Sequence, residues 1–234
     1  MTFDTKEFWE EKILTWENGR YREIGSKAPS VIERMADRAS ELLRFRLSIR
    51  GQILSECVDG AHILEIGCGS GLLAEQLLEA GCASYRGIDI SERAIAMAKE
   101  RNAGSDWRDK MIFTTGTVDD MPDNEADLVF SLGLLDWLGE EEISKIFSRQ
   151  GGARFLHSIS ERKFSLQQYI HRLYVQVSYG YRTHGYVPQY HSIAEIAAHA
   201  ASSDPIHVFR DRRLSFGALV ANFDIGPRYR PSLG

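Results

Sequence analysis

The stretch LEIGCGSG, which follows a short apolar run, places glycines at positions 67, 69 and 71. Glycine has no Cβ and tolerates positive φ, so a glycine-rich loop lets the backbone approach a ligand closely. Such a loop can hold the pyrophosphate of a dinucleotide, the phosphates of ATP, or a ligand without a phosphate. The spacing of the glycines distinguishes these chemistries.

Neither phosphate-binding motif fits this loop. A dinucleotide-binding loop has the spacing G-x-G-x-x-G, but here the third glycine, Gly71, comes one position early and Leu72 follows it. A P-loop requires Gly-Lys-Ser/Thr at its end, and no such sequence follows. The observed pattern is Glu65-x-Gly67-x-Gly69-x-Gly71.

An acidic residue ends the next apolar run. Asp89, in GIDIS, lies 18 residues after Gly71, close to the ~20-residue separation at which an acidic side chain binds a ribose in dinucleotide-binding folds. Taken alone, Asp89 could equally be an acidic residue that is favoured because it lies at the N-terminus of a helix. The combination of glycine loop and carboxylate indicates a nucleoside-containing ligand.

Short apolar runs alternate with helical patterns around these residues. Strands are predicted at 61–67, 85–90, 110–116, 126–132 and 153–159, and helices at 71–80, 92–102 and 140–149. The capping-box pattern SVIE at 30–33 predicts an earlier helix that extends to about Leu54. Ser91 is placed to cap the helix 92–102, and Ser192 with Glu195 forms a capping-box pattern for a later helix. PIHVFR and LSFGALVANF predict two final strands. Strands that alternate with helices favour a parallel sheet covered on both faces.

The composition favours one globular unit without metal or membrane partners. Hydrophobic residues make up 43% of the 234 residues, enough for a sizeable core. The N-terminus lacks the apolar region of a secretory signal, and no run of about 18 apolar residues predicts a membrane span. The three cysteines show neither zinc-ligand nor disulfide spacing (Cys57, Cys68 and Cys82). We therefore expect a cytoplasmic protein.

Charge and aromatic residues are distributed unevenly. The formal charge is −5, and with no stripe of Lys and Arg this argues against a nucleic-acid partner. Residues 151–234 nevertheless contain 10 basic and 5 acidic side chains, six of the seven histidines and seven of the nine tyrosines. This segment suits a small ligand that carries a carboxylate, a phosphate or a sugar.

The glycine pattern is similar to motif I of the class I S-adenosylmethionine-dependent methyltransferases, and the resemblance extends over residues 61–138. It implies S-adenosylmethionine as the cofactor, with the methionine part against the backbone of the loop (Gly67, Cys68, Gly69 and Gly71). Glu65 is then expected near the cofactor's amino group. Asp89, with Ile90 beside it, is expected to bind the ribose hydroxyls.

Two further segments also resemble this family, except at one position. Many members have an Asp after the third strand that meets the adenine amino group, but TGTVDDMP has Thr117 at that position. The resemblance leaves Val118 as an apolar contact and Asp119 as a substitute ligand. In DLVFSLGLLDWL, Ser131 and Leu132 are expected to border the methionine.

The family implies a Rossmann-like α/β fold, a doubly wound and mostly parallel seven-stranded sheet with N-terminal helices and a helical insert after strand five. The predicted organisation is an N-terminal helical lid, a cofactor-binding core, an inserted substrate cap and a C-terminal part of the core (1–56, 57–160, 161–191 and 192–234).

The substrate cap carries the candidate residues for the methyl acceptor. A hydroxyl acceptor requires proton removal, for which His157 and His191 are the candidates, whereas a neutral amine requires no base. Four side chains are predicted to line the acceptor pocket (Tyr21, Arg182, Tyr186 and Tyr190).

The leading hypothesis is methyl transfer to an oxygen or nitrogen of a small polar metabolite. Two alternatives stay open, a methyltransferase acting on protein or RNA and a non-catalytic scaffold that binds S-adenosylmethionine. The sequence also leaves a homodimer open.

Overall fold

The computed structural model describes residues 4–12, 50–163, 166, 168–169, 183, 185–200, 205–210 and 217–225. The seven strands are β1 (His62–Ile66), β2 (Ser84–Asp89), β3 (Met111–Thr115), β4 (Leu128–Ser131), β5 (Arg154–Ser160), β6 (His207–Arg210) and β7 (Gly217–Ala221). The helices are α1 (5–12), α2 (50–55), α3 (Ala74–Glu79), α4 (Glu92–Asn102), α5 (Glu140–Gln150) and α6 (Ile193–Ala200).

The strands form one seven-stranded sheet in the order β3-β2-β1-β4-β5-β7-β6. The first five strands run parallel, and β7 lies antiparallel to both of its neighbours, β5 and β6. The predicted fold class, a doubly wound and mostly parallel sheet, is therefore confirmed. Because β1 pairs with β2 on one side and with β4 on the other, the strand order reverses beside β1, where open α/β sheets bind ligands at their carboxyl ends.

Both faces of the sheet are covered by apolar clusters. One cluster joins α2 and α3 to the sheet through Leu54, Leu77 and Phe130. The other joins α5 to the opposite face through Ile146 and Phe155. Coverage on both faces explains why β4 is buried at every position, instead of alternating between buried and exposed.

The predicted helix caps are present. Ser91 Oγ accepts the amide hydrogen of Ala94 at 3.1 Å. In the capping box of α6, Ser192 N donates to Glu195 Oε2 at 2.8 Å and Glu195 N to Ser192 Oγ at 3.2 Å. A capped start fixes where each helix begins, so α4 begins beside the end of β2.

Helix α3 is shorter than the predicted helix 71–80 and begins at Ala74. Gly69 and Gly71 have φ of 54° and 66°, a left-handed conformation that cannot belong to a right-handed helix. The predicted helix from residue 30 and the insert at 164–182 lie almost wholly outside the described residues. Among the residues that are described, no helix has the length and hydrophobicity that crossing a membrane requires.

Gly71 has a packing role, and its contact with the cofactor stays a prediction. A Cβ built at Gly71 would lie 2.6 Å from Cε1 of Phe113 and 3.3 Å from Cβ of Ala98. The glycine therefore lets β3 and α4 pack closely on the loop, and it does not line the cavity described below.

Gly71→Ala should lower the free energy of unfolding by about 2 kcal/mol, because it forces a methyl group against Phe113 and strains a positive φ. Urea denaturation of the full chain measures this change. Gly104→Ala is the control, since a Cβ there meets nothing within 4 Å, and it should change stability by less than ~0.5 kcal/mol. Equal stability of the two variants would contradict the packing role.

Candidate cofactor-binding site

A cavity of about 320 Å³ lies at the carboxyl ends of β1, β2 and β4. It is lined by most of the predicted cofactor residues (Glu65, Gly67, Cys68, Gly69, Asp89, Ile90, Thr117, Val118 and Leu132). The remaining lining includes Ile66, Ile88, Leu72, Leu73, Leu134 and Leu138. The cavity is thus a mainly apolar crevice with a few polar groups, the usual composition of a cofactor site.

The backbone of the glycine loop forms one wall. Gly67 N and Cys68 N donate to Ile88 O at 2.8 and 3.1 Å, which ties the loop to the end of β2. Gly67 has a φ of 72°, and a Cβ there would meet the side chain of Leu134 at 3.3 Å. The absence of a side chain therefore keeps space between the loop and the residues that follow β4.

Asp89 joins this loop to helix α4. Its side chain is 5% exposed; Oδ2 accepts Gly69 N at 2.9 Å and Oδ1 accepts Ser91 N at 2.9 Å. A carboxylate offers about four lone-pair positions. These two backbone bonds therefore orient the carboxylate and are compatible with additional hydroxyl donors, as a ribose supplies.

Glu65 lies beside Tyr85 on the neighbouring strand, and the phenol of Tyr85 donates to Glu65 Oε2. Burial, together with the negative charge of Glu65, raises the pKa of Tyr85 well above its ordinary value of 10. The phenol therefore keeps its proton and remains a donor to Glu65. Fixing the carboxylate in this way makes Glu65 a rigid acceptor in the cavity wall.

Asp119 does not line the cavity, which corrects its assignment as an adenine ligand. Its carboxylate is 3.0 Å from Lys145 Nζ on α5 and is 66% exposed. Asp120 makes the local bond instead, accepting Thr117 N at 2.8 Å. The 3-10 turn Val118–Asp120 thereby aims the two aspartates away from the cavity and leaves Thr117 and Val118 facing it.

His157 is a core residue, so its assignment as a general base is also wrong. Strand alternation places it on the same face of β5 as Phe155, below α5, with 0% exposure. Its ring packs edge-on against Phe147 and stacks on Phe155. Burial lowers the pKa of His157 to about 3.

Ser131 shares this environment. Ser131 Oγ and His157 Nδ1 are 2.9 Å apart across the β4–β5 pair, and Ser131 is 0% exposed. Ser131 therefore faces the core rather than the cavity. The structure does not support the predicted contact of Ser131 with the methionine part of the cofactor. The cavity is bordered by the next residues, Leu132, Gly133 and Leu134.

The loop after β4 is fastened by the side chains of β5. Ser158 Oγ accepts Gly133 N at 2.6 Å. Asp136 accepts Ser160 N at Oδ1 and Ser160 Oγ at Oδ2, both at 2.7 Å. Burial raises the pKa of Asp136, although these bonds oppose the shift. Successive positions of β5 thus set the path of the cavity-lining loop.

His191 also fastens this loop and does not line the cavity. Its Nε2 lies 3.0 Å from Leu135 O, and the side chain is 8% exposed. The structure therefore gives His191 a bond to backbone in place of access to an acceptor, which corrects its assignment as a base.

Aromatic rings close the cavity beside α1. Trp9 on this helix, Trp137 and Tyr186 all line it. Trp9 Nε1 donates to the hydroxyl of Tyr186 at 3.1 Å, and the Trp9 and Trp137 rings meet edge-on with centroids 5.0 Å apart. The position of α1 is fixed by Glu10, whose carboxylate accepts Ser91 Oγ at 3.0 Å and Arg93 N at 3.3 Å.

A second cavity of about 520 Å³ shares three residues with the first, Trp137, Glu142 and Tyr186. Its other lining residues are Gly139, Arg162, Gly185, Val187, Pro188, Gln189 and Tyr190. The predicted acceptor residues Tyr186 and Tyr190 therefore lie together in its wall. Tyr21 and Arg182 lie outside the described residues.

Arg50 was not among the predicted ligands, although it is the only cationic side chain in the described lining of the first cavity. The sequence predicted a helix through this position but not which face of the helix meets the sheet. Only its placement some fifteen residues before the glycine loop could have suggested it.

The fold and the cavity are those of an α/β protein with a ligand-sized crevice at the carboxyl ends of its strands, and comparison with known proteins narrows the class. Residues 63–151 match the family model of a methyltransferase domain. Over 70 residues the chain is 37% identical to ribosomal protein L11 methyltransferase of Burkholderia mallei, covering 30% of this chain and 22% of that protein. Over 83 residues it is 36% identical to the eEF1A lysine and N-terminal methyltransferase of Bos taurus, covering 36% and 12%.

Solved structures share the architecture over a greater length. Magnesium protoporphyrin IX methyltransferase of Synechocystis PCC 6803, solved with bound SAH, has 17% identity and a TM-score of 0.67, covering 92% of this chain and 96% of that one. A S-adenosylmethionine-dependent methyltransferase of Methanosarcina mazei has 18% identity and a TM-score of 0.54, covering 70% and 91%. Residues 63–151 thus resemble a methyltransferase domain, and the chain shares its fold with S-adenosylmethionine-dependent methyltransferases, whose cofactor is S-adenosylmethionine.

The residues present fit this cofactor. S-adenosylmethionine carries a carboxylate, an amine, a sulfonium, two ribose hydroxyls and an adenine. The cavity offers one guanidinium for the carboxylate (Arg50), carboxylates for the amine and the hydroxyls (Glu65 and Asp89) and an apolar wall for the adenine (Ile90 and Val118). Gly67 leaves open the space beside Leu134 that a Cβ would fill.

The buried histidine predicts an acid-sensitive stability. Because the pKa of His157 is about 3 in the folded chain against an ordinary 6.5, the unfolded chain binds a proton that the folded chain does not. Stability should fall as the pH drops from about 6.5 towards 3, by up to ~1.4 kcal/mol per pH unit.

Urea denaturation at pH 7.0 and pH 4.5 tests this sensitivity. His157→Gln should lose about 2 kcal/mol less than the wild type between these two values. His62→Gln, which removes an exposed histidine, is the control and should keep the wild-type dependence. An equal loss in wild type and His157→Gln would refute the assignment.

Proposed function

We propose that the chain is a S-adenosylmethionine-dependent methyltransferase that methylates an oxygen or a nitrogen of a small polar metabolite. The observation that carries the proposal is the second cavity, which adjoins the cofactor cavity through Trp137, Glu142 and Tyr186. Its volume of about 520 Å³ lies within the range of sites for small molecules, roughly 300–1,000 Å³.

When bound, S-adenosylmethionine supplies an electrophilic methyl carbon attached to a sulfonium. The work of the chain is to hold donor and acceptor in line and to exclude water, which can supply much of the rate when the reacting atoms are ~3–3.5 Å apart. Asp89 and the glycine loop hold one end of the methyl donor. The loop after β4 and the rings of Trp9 and Trp137 shield its other end from water.

A second candidate function is methylation of a protein. The relatives named above act, by their names, on ribosomal protein L11 and on eEF1A, which favours a protein acceptor. The chain covers only 22% and 12% of their lengths, however, so the likeness concerns the cofactor-binding part. The volume of the second cavity, about 520 Å³, favours the small acceptor.

A radiolabelled methyl donor separates the two functions. The chain is incubated with S-[methyl-³H]adenosylmethionine and a cell extract divided into fractions of low and high molecular mass. Label in small molecules would support the proposal, and label found only in macromolecules would replace it with the second candidate.

Asp89→Asn should weaken binding of S-adenosylhomocysteine about 10- to 100-fold, since charged hydrogen bonds to hydroxyls are worth ~1.5–3 kcal/mol. Isothermal titration calorimetry measures the dissociation constant, and a melting curve confirms that the variant is folded. Asp119→Asn, which changes a carboxylate outside the cavity, is the matched control and should bind as the wild type does. Unchanged affinity in Asp89→Asn would exclude the ribose role.

A further inference from the structure

The wall between the two cavities consists of two aromatic rings and one carboxylate. The rings of Trp137 and Tyr186 have centroids 5.3 Å apart, and Glu142 projects from the first turn of α5 into the lining of both cavities. Any acceptor in the second cavity must present its nucleophile to the cofactor past these three side chains. Their chemistry therefore selects the nucleophile.

The charge of this wall is negative. Of the described residues that line the second cavity, Arg162 is the one cation. Its guanidinium is already engaged, because Nη1 donates to Glu195 at 2.7 Å and Nε and Nη2 donate to Tyr190 O at 3.2 and 2.8 Å. Glu142 accepts the backbone amide of Gly139 at 2.9 Å through Oε2. Glu142 forms no ion pair with a described residue, so no described side chain neutralises its charge.

The described side chains around the second cavity offer no histidine base. His157 is buried in the core and His191 is bonded to Leu135 O, and neither lines either cavity. Burial and the nearby charge of Glu142 raise the pKa of Tyr186, so its phenol keeps its proton at neutral pH. Among the described residues no histidine lines the second cavity to take the proton of a hydroxyl acceptor, whereas an acceptor that arrives as a neutral amine requires no base.

We propose that the methyl acceptor is an amine, seated in the second cavity with its nitrogen between Glu142 and the rings of Trp137 and Tyr186. A carboxylate beside aromatic faces is the environment that stabilises an ammonium group, through a charge-assisted hydrogen bond and cation–π attraction. The inference rests on the proposed methyltransferase function and narrows its acceptor from oxygen or nitrogen to nitrogen.

The reaction balances without a further reactant. The acceptor leaves its proton in bulk solvent and enters as the neutral amine, and the nitrogen lone pair then forms a bond to the methyl carbon. The carbon–sulfur bond breaks with its electron pair going to sulfur, so the sulfonium becomes a neutral thioether. The positive charge passes to the methylated nitrogen, which lies beside the carboxylate of Glu142.

The test uses pairs of acceptors that differ only in the nucleophile. Phenethylamine is compared with phenethyl alcohol, and the acetylated, amidated tripeptide Gly-Lys-Gly with its Gly-Ser-Gly analogue, which separates a small amine from a lysine side chain. Mass spectrometry detects a gain of one methyl group after incubation of the full chain with S-adenosylmethionine. Methylation of an amine with no methylation of its hydroxyl partner supports the proposal.

Variants test the contribution of Glu142. Glu142→Gln should raise KM for the methylated amine at least 10-fold and leave the dissociation constant of S-adenosylhomocysteine within 2-fold. Glu140→Gln, which neutralises an exposed carboxylate on the same turn of α5, should leave both unchanged. An unchanged KM in Glu142→Gln, or a loss of cofactor affinity in its place, overturns the role.

Failure of the amine proposal differs from failure of the proposed function. If calorimetry shows binding of S-adenosylmethionine but only the alcohols, or none of the four acceptors, are methylated, the amine proposal is overturned and the cofactor site stands. If S-adenosylmethionine does not bind, the methyltransferase function itself is overturned.

Discussion

The carboxylate of Asp89 is the interaction on which the cofactor cavity depends. It binds Gly69 N with one oxygen and Ser91 N with the other, so one side chain joins the end of β2, the glycine loop and the start of α4. Ser91 in turn caps α4 and donates to Glu10 of α1. The loop, the helix and the aromatic side chains of α1 are thus positioned from a single point on the sheet edge.

The opposite wall is positioned by β5 in a comparable way. Ser158 and Ser160 bind Gly133 and Asp136 of the loop after β4, and His191 binds Leu135 O. These bonds are buried or partly buried, and leaving a buried polar group unpaired costs about 1–3 kcal/mol. The position of Trp137 is therefore held by several backbone contacts, which suits a residue in the wall between two cavities.

The fold and the glycine loop could be predicted because their signals are local. The chain itself shows these signals: apolar runs, the cap at Ser91 and the separation between the loop and Asp89. The observed strand order and helix caps agree with the predictions made from them. The errors in the predicted site concern the direction in which side chains point from their strands. Ser131 does end β4, but His157 lies in the middle of β5, and alternation along the two strands turns both side chains into the core below α5.

Arg50 and Glu142 could not be predicted for a related reason. Each residue lies on a helix. The amphipathic pattern of such a helix predicts which face is buried, but it does not predict how the helix is rotated relative to the edge of the sheet. Packing of α2 against one face and α5 against the other brings these two charges to the same cavity. Long-range packing, rather than local pattern, supplies the groups that contact the ends of a bound molecule.

The distribution of charge bears on how such a site can accelerate methyl transfer. Carboxylates lining the cavity (Glu65, Asp89 and Glu142) stabilise a cationic donor before reaction, and an interaction made equally in the ground state does not raise the rate. At Glu142, however, the positive charge arrives on the acceptor as it leaves sulfur. The carboxylate next to the rings is thus the one that gains interaction energy along the reaction, while Asp89 and the β5 contacts contribute by holding the geometry.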